Sequence, residues 1–246
     1  MFWSRKPKCP ITDEDREYVE GWFDAFIKDF GDKHFKSINT ITPTKSFYNI
    51  AFTGVEQDAV DVVEITKYWM FIDDTDIKVE FYSDSPIESS EGSLLSSPSE
   101  GVDGKWTGAA GTYQQNENDI IISFERSQLK NPISLIATAA HELSHYILLG
   151  EQNVTDDEVL TDLTAIFYGY GIFIGNTRFE FSQYSGVSTS GWQSRATGYL
   201  PEPVIAYATA YLSHKRKENT DYKEFFNKTM LSYFNKSIKY LESLNL

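Results

Sequence analysis

The stretch "NPISLIATAAHELSHYILLG", residues 131–150, holds two of the chain's four histidines, and its reading decides the fold. Asn131 can cap a helix, Pro132 suits the first turn, and Gly150 stops it. Ile133, Ile136, Ala140, Leu143 and Ile147 recur at helical spacing, which gives this helix a core-facing side. His141 and His145 are four residues apart, so both imidazoles project from one face with Cβ atoms about 6 Å apart. Glu142 lies about 100° further round, off that stripe.

Two imidazole nitrogens on one rigid face suit a zinc ion, which takes nitrogen ligands at about 2.0–2.1 Å. Glu142 is too far round to ligate with them, but it can reach a metal-bound water as a general base. A catalytic zinc needs three protein ligands and one open position. No third histidine stands at HExxHxxGxxH spacing, because Leu148 and Glu151 occupy those positions. Instead, Glu158-x-x-x-Asp162 places two acids one turn apart at the start of the next helix. Glu158 can reach the metal, and Asp162 can accept the remaining N–H of a ligating imidazole and fix its tautomer. Glu158 has a competing reading, since Thr155-x-x-Glu158 is also a capping box. Asp162 is then the alternative ligand.

The segment "AAHELSHYIL" resembles the zinc helix of the gluzincins, the thermolysin-like metallopeptidases, and "DDEVLTDLTAIFYG" resembles their glutamate helix. The resemblance covers residues 110–172 and implies His141, His145 and Glu158 as ligands, Asp162 as a histidine partner and Glu142 as base. It also implies an oxyanion donor on a downstream helix. Tyr207, Tyr211 and His214 share a face there at i, i+4 and i+7, so Tyr207 and His214 are candidate catalytic residues, beside the plainer readings of core tyrosine and basic surface. The segments around 9–31 and 198–212 are similar to a group of bacterial proteins of unassigned activity carrying the same HExxH helix.

Outward from this centre, "TDEDREYVEGWFDAFIKDFG" (12–31) reads as an amphipathic helix capped at Thr12, with acids in its first turn and Gly31 at its end. A second helix spans about 55–71, with Val55, Ala59, Val62 and Trp69 on one side. Strands are expected at 77–82, 109–115 and 118–125. Residues 83–108, dense in Ser, Gly and Pro, read as a long loop, either a plain insertion or a lid. Residues 176–200 read as irregular, and helices fill 201–217 and 221–244. The last carries a stripe of Phe226, Met230, Phe234, Ile238 and Leu241. Strands followed by helices without βαβ alternation indicate an α+β fold. With the resemblance, the expectation is one minimal zincin-like domain, a short mixed sheet packed on the zinc and glutamate helices. Residues 1–75 form its N-terminal helical segment, 76–175 the strands and site helices, and 176–246 the irregular segment and C-terminal helices.

The chain of 246 residues carries 36 acidic against 22 basic side chains, a net charge of -14. Phosphate backbones are repelled by such a surface, which excludes nucleic acid as an expected partner. The basic run 214–217 fits a helix C-terminus, where cations favour the dipole. Cys9 is the single cysteine, so neither an intrachain disulfide nor a CxxC metal site is possible. The opening "MFWSRKPKCP" lacks an apolar signal core, and no apolar run reaches the roughly 20 residues of a membrane span. The expectation is a cytoplasmic zinc metallopeptidase acting on peptides or proteins, with no membrane partner. The alternative is a non-proteolytic zinc- or peptide-binding protein that keeps the same site.

Overall fold

Thr12 opens the first helix as the sequence predicts. Its Oγ1 accepts the Asp15 N–H at 3.1 Å, and α1 (Asp13–Phe30) begins there. Its apolar stripe buries Val19, Phe23 and Phe26, and Gly31 at φ +91° ends it. The computed structural model describes residues 6–73, 75–83, 87–88, 94–95, 111–115, 119–151, 157–185 and 200–244. A short α2 (Asp32–Ser37) comes next, then α3 (Glu56–Trp69). Val55 does not share the buried side of α3: it is the N-cap residue and 50% exposed, while Ala59 and Val62 are buried. The carboxylate that closes this helix start is Asp58, which accepts the N–H groups of Thr53, Gly54 and Val55.

Strands β1 (Ile77–Tyr82), β4 (Gly111–Gln115) and β5 (Ile120–Glu125) form a three-stranded sheet in the order β1-β5-β4. β1 runs parallel to β5 and β4 antiparallel to it, so the sheet is mixed. Ile122 and Phe124 of the central strand are buried. Within the stretch read as a loop, β2 (Ile87–Glu88) pairs antiparallel with β3 (Leu94–Leu95), which corrects that reading locally. The rest of 84–110 lies outside the described residues, and the lid reading with it.

Asn131 caps α4 (Pro132–His145), its side chain accepting the Ser134 N–H at 3.3 Å. A wider π-type turn over Tyr146–Glu151 continues it. This helix is the centre of the molecule, touching α3, β4 and β5 as well as α5 (Glu158–Phe167) and α6 (Gly171–Ser185). Leu135, Ile136, Ala137, Ala139, Ala140 and Leu143 are buried around nearly its whole circumference. Removing one such leucine side chain costs about 2–5 kcal/mol, so the two histidines ride on a rigid support.

α6 corrects the expectation of irregular chain from 176, since 176–185 is helical; residues 186–199 lie outside the described set. Gly169, at φ +94° between α5 and α6, has a backbone reason. A Cβ there would stand 2.0 Å from the Asn39 carbonyl oxygen, and Ile41 N donates to the Gly169 carbonyl at 3.0 Å. α7 (Glu202–Arg216) packs against α8 (Lys228–Ser243), whose expected stripe buries Phe226, Met230, Phe234 and Leu241 with Ile238 at its margin. The fold is α+β and mostly helical, and no described helix is long and apolar enough to cross a membrane.

Candidate metal centre

α4 and α5 together bring His141, His145 and Glu158 into one group. One ligand atom from each residue lies within 4.8 Å of the other two. Glu158 Oε2 is 3.0 Å from His141 Nε2 and 3.8 Å from His145 Nε2. Such a donor set of two imidazoles and a carboxylate can hold a metal ion.

The start of α5 bears on the two readings of Glu158. Asp157 is the N-cap, its Oδ1 accepting the Val159 and Leu160 N–H groups at 2.9 and 3.1 Å. Glu158 is therefore the first helical residue, while Thr155, the partner in the capping-box reading, lies outside the described residues. With its helix end already capped, Glu158 turns its carboxylate to the histidines and is 41% exposed on the outer side of the group.

Each imidazole is also held from behind. Asp162 Oδ1 lies 2.9 Å from His141 Nδ1, while its Oδ2 accepts the Leu200 N–H at 3.5 Å. Burial opposes charge on His141, but the Asp162 and Glu158 carboxylates outweigh it, with Glu142 adding, and hold its pKa well above the ordinary histidine value. Behind His145 stands Thr161, its Oγ1 3.4 Å from Nδ1. The two histidine rings meet edge to face with centroids 5.0 Å apart.

Edge strand β4 covers this part of α4. A Cβ at Gly111 would meet Thr138 Cγ2 at 2.5 Å and Glu142 Oε1 at 3.1 Å, so glycine lets the strand's main chain close over the Glu142 carboxylate. Glu142 is only 5% exposed. Two residues on, as strand periodicity requires, Tyr113 faces the same helix and stacks on His145 at 18° with centroids 6.1 Å apart. Burial pushes the Tyr113 hydroxyl up to about 12.

The structure does not bring Tyr207 or His214 to this group. Tyr207 turns its hydroxyl to Glu20 of α1, Tyr211 donates to Asp24 at 3.3 Å, and their rings stack 6.3 Å apart. Burial and then Glu20 hold the Tyr207 hydroxyl far above the usual phenol range. His214 lies in the last turn of α7 beside Lys215 and Arg216. Arg216 is not solvated: its side chain is 4% exposed and pairs with Glu218 at 3.0 Å. Cys9 is half-buried, and burial raises its thiol pKa.

Thr161, Gly111 and Tyr113 join the site without having stood out in the sequence. Thr161 had a geometric signal, since it falls three residues after Glu158 and so on the same helix face. The two strand residues had none until β4 was placed. No family model, no curated protein and no solved structure matches the chain.

Proposed function

We propose that the chain is a cytoplasmic zinc-dependent metallopeptidase of gluzincin type, with a zincin-like arrangement of sheet and site helices. The observation that carries this reading is the bracketing of His141, with Asp162 at Nδ1 and Glu158 at Nε2. Ligand atoms about 2.0–2.1 Å from a tetrahedral zinc lie about 3.3 Å from one another. The 3.0 and 3.8 Å separations span that value and all three ligand atoms lie within 4.8 Å of one another, which supports a donor set that could close on such an ion. Zinc bound there would supply Lewis acidity toward a peptide carbonyl and a water.

The chain's own groups do the rest. Glu142 takes the proton from water and returns it to the departing amine. Glu158 and the two imidazoles would hold the ion, while Asp162 fixes the orientation of His141. Among the described residues β4 is the edge of its sheet, an edge of the kind that takes an extended peptide by strand addition, which suits a peptide or protein substrate.

Two measurements test the reading together: the metal content of protein purified without added metal, and hydrolysis of a mixed peptide library. About one zinc per chain is expected, with hydrolysis abolished in Glu142→Gln while zinc stays. Wild-type protein without metal, or turnover indifferent to Glu142→Gln, overturns it. The burial of Glu142 favours a second reading, a binding protein with the same site. Zinc binding without hydrolysis of any peptide supports that one.

A further inference from the structure

The two imidazoles are backed by different chemistry. His141 faces the carboxylate of Asp162, whereas His145 faces the hydroxyl of Thr161, a residue with no exposed surface. A hydroxyl has one proton to donate and two lone pairs to offer. Thr161 directs its proton to the Asp157 carbonyl at 3.0 Å, the shorter of its two contacts. Toward His145 Nδ1 it therefore presents a lone pair that can accept an Nδ1–H. The other ring nitrogen, Nε2, lies 3.8 Å from the Glu158 carboxylate oxygen, on the side of the candidate metal group.

Resting on the metal site proposed above, we propose that Thr161 is a positioning residue for the second ligand. It holds His145 as the Nδ1–H tautomer and so aims the Nε2 lone pair at the ion. Tyr113, stacked on the ring from β4, limits its rotation on another side. The bond from Thr161 is neutral, whereas Asp162 gives His141 a charge-assisted one. Losing Thr161 should therefore weaken metal binding at the low end of the 10–100-fold range usual for such partners, about 10-fold.

The test uses full-length wild type, Thr161→Ser and Thr161→Val. Long-range proton–nitrogen correlation spectra of metal-free protein labelled with 15N-histidine report the tautomer. Chelator competition with zinc reports the affinity. Wild type and Thr161→Ser should both show His145 protonated on Nδ1. Thr161→Val should lose that preference and bind zinc about 10-fold more weakly, with the serine variant restoring affinity. Should Thr161→Val fail to fold, Thr161→Ala removes the same oxygen with less steric change. Protonation on Nε2 in wild type, or a valine or alanine variant with unchanged tautomer and affinity, overturns the inference. If wild type binds no zinc, the metal reading fails while the spectra still decide the role of Thr161.

Discussion

His141 Nδ1 and Asp162 Oδ1 lie 2.9 Å apart, while the other nitrogen of the same ring faces Glu158 at 3.0 Å. The two acids of Glu158-x-x-x-Asp162 therefore act on opposite sides of one imidazole. Glu158→Ala should lose zinc on dialysis, because a ligand is removed outright. Asp162→Asn should keep zinc at about 10–100-fold lower affinity, since an amide can still accept the N–H without carrying charge. Zinc content after dialysis separates the two. Full occupancy in Glu158→Ala with loss in Asp162→Asn would make Asp162 the ligand.

Much of this centre was legible in the sequence because it sits on helices. The spacing of four residues between His141 and His145, and of four between Glu158 and Asp162, fixes each pair to one face before any tertiary structure exists. How α4 and α5 face each other is a packing outcome, and so is the capping of α5 by Asp157. The cover over the site was not legible. Gly111 and Tyr113 acquire meaning only when β4 pairs with β5, a long-range event that strand composition does not locate. Tyr207 shows the same limit: helical spacing groups it with Tyr211, but only packing turns that face to α1.

Gly111→Ala should uncouple the cover from the metal. The added methyl would stand 2.5 Å from Thr138 Cγ2, so α4 or β4 must shift. Overpacking of this kind costs about 1–3 kcal/mol, read as a lower melting temperature. Zinc should stay bound, because no ligand is touched, while peptide turnover falls as Glu142 is displaced. Adding Thr138→Ser removes the clashing methyl and should restore most of the stability. A double variant no better than Gly111→Ala would place the conflict instead at Glu142 Oε1 or the Ser123 carbonyl, 3.1 and 3.2 Å away.

His34 should make the fold sensitive to mild acid. Its ring packs against Phe71, Phe30 and Tyr168, at centroid distances of 4.6, 5.7 and 5.9 Å. Burial there lowers its pKa, and its Nε2 has no hydrogen-bond partner. A base with a lowered folded-state pKa binds protons better in the unfolded chain. Its effect is nil above the ordinary value of about 6.5, and stability is lost as pH falls below that value toward the folded one. His34→Phe abolishes this titration. The melting temperature of the variant relative to wild type should therefore rise between pH 8 and pH 5.5, and a constant difference would show that His34 does not contribute.

Tyr207 provides the sharpest check on what the resemblance implied, because its placement and its expected catalytic role diverge. Its hydroxyl donates to Glu20, and Arg16 stands 3.6 Å from the same carboxylate. A phenol held in this way between α7 and α1 ties two helices together. Tyr207→Phe removes one hydrogen bond to a charged acceptor, worth about 1.5–3 kcal/mol, and leaves the ring stacked on Tyr211. Arg16 continues to neutralise Glu20, so the lower end of that range is expected. Zinc affinity should match wild type, and so should kcat on any peptide the protein cleaves. An oxyanion donor behaves in the opposite way, since losing one typically lowers kcat by about 100–1000-fold with stability intact. Thermal melts and turnover measured on the same Tyr207→Phe preparation therefore give two distinct signatures. A large fall in kcat with an unchanged melting temperature would return Tyr207 to the catalytic centre and require α7 to move when substrate binds.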